Sequence, residues 1–165
     1  MLHPEYLRKV LMLAKEAGLH TAVDTAGNVP FSSFLRVLPY ADLFLYDIKI
    51  WDEKKHRQAT GVSNQLILEN LRKLTETGAE VYIRTPVIME WNGDLKEFDQ
   101  ISSYLAKLSH PVKLIQLLPY HSYGAGKYET LGLRNQIKDH TPPAAEFMQQ
   151  ALQLYLEKGL PAQIS

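Results

Sequence analysis

The chain has 165 residues, of which 45% are hydrophobic and 22% charged, and its 18 basic and 18 acidic residues cancel. This length suits one domain with a real core, and the balanced charge gives no reason to expect nucleic acid as a partner. No apolar run approaches the roughly 20 residues of a membrane span, so we expect a cytoplasmic location without membrane contact. The sequence contains no cysteine, which excludes disulfides, thiol catalysis, and thiolate-bound zinc or iron–sulfur clusters within these residues.

Hydrophobic spacing and turn residues predict alternating helices and strands along the chain. In order, they are helix 3–17, strand 19–25, helix 30–38, strand 43–49, helices 52–60 and 64–76, strand 81–88, helix 92–108, strand 112–120, helix 142–158 and a short strand at 162–164. Such alternation predicts parallel pairing through helical crossovers. A doubly wound sheet and a (β/α) barrel both fit, but four to five strands are too few to close an eight-stranded barrel. We therefore expect an α/β fold with an incomplete parallel (β/α) barrel.

The predicted strand at 43–49 ends by presenting an acid and a base, Asp47 and Lys49. Side chains at positions i and i+2 of a strand point to the same face, so these two should project together while Ile48 points the other way. An ion pair that closes the end of the core would account for this pattern. A ligand site at the C-terminal end of a parallel strand would account for it equally.

Three further ionisable residues, Asp24, Arg84 and His121, lie at or near the ends of other predicted strands. Taken singly, they could be a turn residue, an ion-pair partner and a loop histidine. Because the C-terminal ends of parallel strands meet at one edge of a sheet, the group as a whole favours a site. Its cationic residues offer donors for a carboxylate or phosphate, and its carboxylates suit an amine, a ribose hydroxyl or a metal cation.

Five short motifs carry a resemblance to a known family. They are HTAVDTAG at 20–27, YDIK at 46–49, GVSN at 61–64, YIR at 82–84 and LLPYH at 117–121. In this order they resemble the glycyl-radical-enzyme activating enzymes of the radical S-adenosylmethionine superfamily. Each motif is weak alone, whereas the ordered set spans most of the chain and is specific.

The resemblance implies a partial (β/α)6 barrel, in agreement with the fold expected from the pattern of elements. It implies S-adenosylmethionine as cofactor and, in the full-length protein, a [4Fe–4S] cluster that cleaves it reductively to methionine and a 5′-deoxyadenosyl radical. That radical takes a hydrogen atom from a glycine of a large partner enzyme. The implied partners are a glycyl radical enzyme, with pyruvate formate-lyase favoured by overall similarity, and an electron donor such as flavodoxin or ferredoxin.

The resemblance also implies two sets of site residues. The S-adenosylmethionine site falls on Asp47, Ile48, Lys49, Arg84 and His121. A monovalent-cation site beside the methionyl end of the cofactor falls on Asp24, Thr25, Leu45 and Asp47, the middle two through backbone carbonyls. A cation there would relieve the repulsion between two converging carboxylates.

The chain departs from the family at its most diagnostic feature, the C-x3-C-x2-C loop that binds the cluster, because it has no cysteine. Its first residues, MLHPE, look like those that follow the family's Gly-Gly-Glu-Pro segment. The resemblance therefore implies that residues 1–165 form a single domain, the C-terminal part of a radical S-adenosylmethionine core without its first two strands. A paralogue that has shed the cluster is the alternative. In both cases we expect the chain alone to be inactive.

Two other classes of function stay open on the sequence. One is a non-catalytic module that recognises S-adenosylmethionine or a glycyl radical partner. The other is a cluster-free aldolase- or isomerase-like barrel that uses Lys49 and His121, although a carboxylate beside Lys49 argues against a neutral amine nucleophile. Loss of the upstream strands would also leave the strand around 21–24 as an unpaired edge, which we expect to pair with another copy or to be covered by a terminus.

Overall fold

The computed structural model describes residues 1–120 and 141–165. Its strands are β1 (Ala22–Thr25), β2 (Leu43–Asp47), β3 (Val81–Val87), β4 (Leu114–Pro119) and β5 (Ala162–Ile164). Its α-helices are α1 (Pro4–Glu16), α2 (Phe31–Val37), α3 (Glu53–Thr60), α4 (Gln65–Glu76), α5 (Met89–Asn92), α6 (Leu95–Leu105) and α7 (Ala145–Leu156), and a 3-10 turn covers Leu38–Tyr40. The elements predicted from the sequence are present, and the four-residue α5 is an addition.

The five strands form one sheet in the order β1-β2-β3-β4-β5, and each neighbouring pair is parallel. The expected α/β fold with an incomplete parallel sheet is therefore confirmed. Each strand lies beside the strand that precedes or follows it in sequence, so all the C-terminal ends point the same way. This arrangement places the ends of β1, β2 and β3 next to one another.

The hydrophobic core lies on one face of the sheet only. Alternate strand residues such as Phe44, Ile83 and Ile115 are fully buried against helical residues such as Leu71 and Ile101. The intervening strand residues point to the opposite face and are partly or fully exposed, as the alternating burial of β1, β2 and β3 shows. One face is thus a conventional core, and the other carries the charged residues Asp24, Asp47 and Arg84 among partly exposed apolar residues.

Pro86 lies near the end of β3. Because proline has no backbone N–H to donate, strand pairing is expected to loosen around it. On the β4 side the ladder instead continues through Pro86 to Val87. On the β2 side the aligned pairs end at Asp47 and Arg84, so only that side matches the expectation.

β1 is an edge strand, as predicted, since its only neighbour in the described sheet is β2. The helix that precedes it in the chain, α1, exposes three apolar residues at helical spacing, Tyr6, Val10 and Leu13. The pairing of this edge with another copy of the chain stays a prediction. Within residues 1–120 and 141–165, no helix combines the length and apolar character needed to cross a bilayer.

Candidate functional site

The candidate site lies at the C-terminal ends of β1 and β2 and beside the middle of β3. Asp47 is the last residue of β2 and stands directly beside Arg84 of β3 in the strand register. Asp24 lies on β1, one strand further out, beside Leu45. These side chains belong to the alternating set that faces away from the core, so the strand pleat itself brings them to one surface.

A continuous ionic network joins four of the residues singled out in the sequence. The Arg84 guanidinium donates to Asp47 Oδ1 from Nε at 3.0 Å and from Nη2 at 2.9 Å. Nη2 also donates to Asp24 Oδ1 at 2.5 Å. Lys49 Nζ donates to the other oxygen of Asp47, Oδ2, at 2.6 Å. Asp47 and Lys49 therefore project together, as their spacing predicted.

Exposure rises steadily from the middle of this network to its ends. The side chains of Asp47 and Arg84 are 16% and 21% exposed, whereas those of Lys49 and Asp24 are 38% and 63% exposed. Burial lowers the pKa of Arg84, but attraction to Asp47 and hydrogen bonds to both aspartates outweigh it and raise that pKa above its ordinary value. Arg84 is a permanent cation that fixes both carboxylates, and the solvent-facing ends remain available to a ligand.

Lys49 is the residue of the network best placed to hold an anionic group. Its ammonium carries three donors, and among the described residues it contacts Asp47. The same ion pair speaks against the amine nucleophile of the aldolase-like alternative. Ile48, between the two charged residues, is 2% exposed and belongs to the core, and its amide donates to Arg84 O at 3.0 Å.

The predicted cation site involves the same carboxylates in a different way. Asp24 and Asp47 do converge, but Arg84 bridges them and supplies the positive charge that the prediction gave to a cation. The buried hydroxyl of Thr25 accepts from the Gly27 amide at 3.0 Å. Across the described part of the chain, no three His, Asp or Glu side chains converge as metal ligands would. The monovalent-cation site at Asp24, Thr25, Leu45 and Asp47 stays a prediction.

The loop after β1 is fixed by close packing against the core. Gly27 has φ = 74°, and a Cβ there would lie 1.9 Å from the Tyr46 hydroxyl. That hydroxyl donates to Ile67 O at 2.7 Å, and burial raises the pKa of Tyr46 above its ordinary value. The buried Asn70 side chain donates to Gly27 O at 2.8 Å and to Val29 O at 2.7 Å. The end of β1, with Asp24, is consequently held firmly in place.

The segment after β2 is held by buried polar side chains from two helical regions. Asn64 donates to Ile50 O at 3.1 Å and to Trp51 O at 2.6 Å. Glu97, whose side chain is 6% exposed, accepts from the Trp51 amide at 2.8 Å. Asn64 occupies the N-cap position of α4, but its side chain makes no capping hydrogen bond to that helix.

Two polar residues that the sequence analysis did not single out extend the site across the sheet. The strand register places Gln116 of β4 beside Arg84, and Gln163 of β5 beside Gln116. Asp47, Arg84, Gln116 and Gln163 therefore form one row across four adjacent strands, on the face opposite the core. No signal within a single strand could find this row, because it depends on the register between strands.

His121, the remaining predicted site residue, lies outside the described residues. The described part of the site combines an exposed ammonium, an exposed carboxylate and a fixed guanidinium within one surface. Such a set matches a ligand that carries both a carboxylate and an amine, because each ligand charge finds an opposite partner. The site also lies at the C-terminal ends of parallel strands, where ligands of such folds bind.

Comparison with known proteins gives close relatives. The chain is 36% identical over 153 residues to the trans-4-hydroxy-L-proline dehydratase activating enzyme of Clostridioides difficile, a match that covers 92% of the chain and 50% of that protein. It is 37% identical over 134 residues to the choline trimethylamine-lyase activating enzyme of Oleidesulfovibrio alaskensis, covering 80% of the chain and 43% of the relative. No family model matches the sequence.

A solved structure matches nearly all of the chain. It is a domain of a pyruvate formate-lyase-activating enzyme from Bacteroides vulgatus, with a TM-score of 0.85 and 32% identity over 99% of this chain and 92% of that one. The chain spans about half the length of the curated relatives it matches. The similarity therefore concerns a portion of those proteins that forms a coherent structural unit.

Proposed function

The chain belongs to the glycyl-radical-enzyme activating enzymes of the radical S-adenosylmethionine superfamily, and from this premise we propose that it is the part of such an activase that positions S-adenosylmethionine. The observation that carries the proposal is the network from Asp24 through Arg84 and Asp47 to Lys49, which spans three neighbouring strands where β1 and β2 end. The methionyl group of S-adenosylmethionine is a zwitterion, and this network presents both complementary charges.

The residues divide the task between them. Lys49 donates to the cofactor carboxylate with the N–H groups that Asp47 leaves available. The exposed carboxylate of Asp24 faces the cationic portion of the ligand, while Arg84 and Asp47 keep the two ends at a fixed separation. His121 completes the proposed site from the segment after β4, on the strength of the family resemblance.

This chain has no cysteine that could bind the cluster. A [4Fe–4S] cluster of this superfamily is held by cysteine thiolates, and the sequence has none. Reductive cleavage of S-adenosylmethionine is consequently not assigned to these 165 residues. We propose that the complete activity, formation of a glycyl radical on a partner enzyme, needs a cluster-bearing segment outside them.

The partner is proposed at the level of a glycyl radical enzyme. The curated relatives are named for the activation of a hydroxyproline dehydratase and a choline lyase. The matching crystal structure is described as a domain of a pyruvate formate-lyase-activating enzyme. That description supports pyruvate formate-lyase as the first partner to test, with the other two as comparisons in the same assay.

Isothermal calorimetry with S-adenosylmethionine tests the proposal directly. We expect wild-type chain to bind, Lys49→Met to bind at least about tenfold more weakly because a charge-assisted hydrogen bond is lost, and Lys54→Met to match wild type. Lys54 is the control because it is an exposed lysine on α3, away from the network. Equal affinity of wild type and Lys49→Met would refute the assigned role of Lys49.

A second candidate function is a cluster-free binding module, and the absence of cysteine favours it. The two functions differ in what happens when cluster chemistry is supplied. In one test, the chain is fused behind the cluster-bearing segment of the trans-4-hydroxy-L-proline dehydratase activating enzyme, loaded with iron and sulfide, and assayed for 5′-deoxyadenosine. Product formation supports the activase; a loaded fusion that binds S-adenosylmethionine without cleaving it supports the module.

A further inference from the structure

Asn92, the last residue of α5, joins the ends of β2 and β3 through a single buried side chain. Its Nδ2 donates to Lys49 O at 2.8 Å and to Pro86 O at 2.7 Å. Its Oδ1 accepts from the Ile88 amide at 2.7 Å. The residue is 2% exposed, so these three bonds have no competition from bulk solvent.

The position of Asn92 coincides with the point where the β2–β3 ladder stops. The last backbone bond between these strands in the network region runs from the Ile48 amide to Arg84 O. Beyond it, Pro86 has no N–H to offer, and the carbonyls of Lys49 and Pro86 need a donor from elsewhere. Asn92 supplies a donor to each, so it continues the connection between the strands by one more step.

We propose that Asn92 is a positioning residue that holds Lys49 and Asp47 in register with Arg84, and thereby sets the carboxylate-binding end of the site. This inference rests on the function proposed above. The bonded carbonyl belongs to Lys49 itself, and the other bonded strand carries Arg84 two residues before Pro86. Asn92 thus constrains both sides of the ionic network without touching the ligand.

The chain is shaped locally to keep Asn92 in this place. Gly93 follows at once, and a Cβ there would lie 2.4 Å from Met89 O, so a larger residue would push the turn apart. Asp94 then starts α6 by accepting from the Lys96 amide at 2.9 Å. Asparagine suits position 92 because its short side chain supplies the two donors and the one acceptor that the surrounding backbone groups require.

Asn64 offers a matched control. It is 4% exposed, and its amide also donates to two backbone carbonyls after β2, those of Ile50 and Trp51. Those carbonyls lie beyond Lys49, and within residues 1–120 and 141–165 the Asn64 side chain makes no hydrogen bond to β3. Replacing either asparagine with serine removes two buried amide–carbonyl hydrogen bonds, and Asn92→Ser also removes the bond accepted from the Ile88 amide. Only Asn92→Ser removes the link between the Lys49 carbonyl and the strand that carries Arg84.

The experiment compares S-adenosylmethionine with its decarboxylated form by calorimetry on wild type, Asn92→Ser and Asn64→Ser. Loss of folded protein weakens both ligands equally, whereas a displaced Lys49 weakens only the one with a carboxylate. We expect Asn92→Ser to reduce the ratio of the two affinities about fivefold, and Asn64→Ser to leave the ratio at its wild-type value. An unchanged ratio in Asn92→Ser would overturn the inference.

Hydrogen exchange on the ligand-free chain separates this inference from the proposed function. We expect the Ile48 amide to exchange faster in Asn92→Ser than in Asn64→Ser, with the Phe44 amide at the start of the same ladder as internal reference. If wild type binds neither ligand, the proposed function fails, and faster exchange at Ile48 still supports the positioning role. Equal exchange at Ile48 in the two variants would overturn that role whatever the ligands do.

Discussion

The two ends of the sheet use the same residue types to opposite effect. At the N-terminal ends of β1 and β2, Asp42 accepts from the Thr21 amide at 2.8 Å and from Lys15 Nζ at 2.5 Å. The Thr21 hydroxyl donates its one proton to Tyr40 O at 2.6 Å. The lysine bond and then the backbone bond hold the pKa of Asp42 well below its usual range. This carboxylate is satisfied by its own surroundings.

At the C-terminal ends of the strands, the two central residues of the ionic network bond to each other, whereas its two outer residues face solvent. Arg84 and Asp47 are mostly buried and make several mutual bonds, while Asp24 and Lys49 are more exposed. The difference teaches that an ion pair alone does not mark a site. The informative feature is a fixed charged centre whose outer members keep bonding capacity for something else.

The largest difference in stability between the two ends of the sheet is expected when a glycine at each end is replaced by alanine. Gly27→Ala, at the C-terminal end, adds a methyl group 1.9 Å from the buried Tyr46 hydroxyl at φ = 74°, and should lower the free energy of unfolding by about 3 kcal/mol. Gly78→Ala, before β3, has φ = 77° with nothing within 4 Å, and should cost about 1 kcal/mol. Urea unfolding measures both; equal losses would show that the loop after β1 yields easily.

The next largest effect concerns the basic side chain that bonds to aspartate at each end of the sheet. Arg84→Met leaves Asp24 and Asp47 facing each other without their shared partner, and we expect a loss of about 2 kcal/mol in the free energy of unfolding. Lys15→Met removes one exposed partner from Asp42 and should cost less than about 1 kcal/mol. A larger loss for Lys15→Met in the same urea titration would reverse the comparison.

The smallest effect is a pH dependence at the N-terminal end. Because the pKa of Asp42 is lowered by folding, its contribution to stability is complete above the unfolded value near about 4 and is lost as pH falls toward the folded value. The difference in urea midpoint between wild type and Asp42→Asn should be constant from about pH 7 to 5 and shrink below about pH 4. A difference that grows on acidification would contradict the assignment.

Much of this architecture could be predicted from the sequence because it follows from local patterns. Alternating elements gave the parallel sheet, and the spacing of Asp47 and Lys49 correctly placed both on one face, where they form an ion pair. For Arg84, the sequence predicted only that it would lie near Asp47, because the ends of parallel strands come together. The ion pair itself depends on the register of β2 against β3, and the two residues are 37 positions apart in the chain.

The roles of the buried asparagines could not be predicted for a related reason. Asn64 and Asn92 both stand beside helix starts, and their local sequence suggests capping. In the structure their side chains instead bond to backbone carbonyls outside their own helices, 13 and 14 positions away for Asn64 and 43 and 6 positions away for Asn92. A side chain that serves a distant backbone leaves no periodic signal in its own segment. His121, predicted from its motif, lies outside the described residues.

The strand order 1-2-3-4-5 also bears on how the chain is made. Each strand pairs with the one synthesised just before it, so the partner of a new strand is already present when that strand leaves the ribosome. Paired residues of neighbouring strands lie 21 to 47 positions apart in the chain, so each pairing must wait until the helical crossover between the two strands has been made. A sheet of this kind extends one unit at a time, and translation supplies those units in the order in which the sheet needs them.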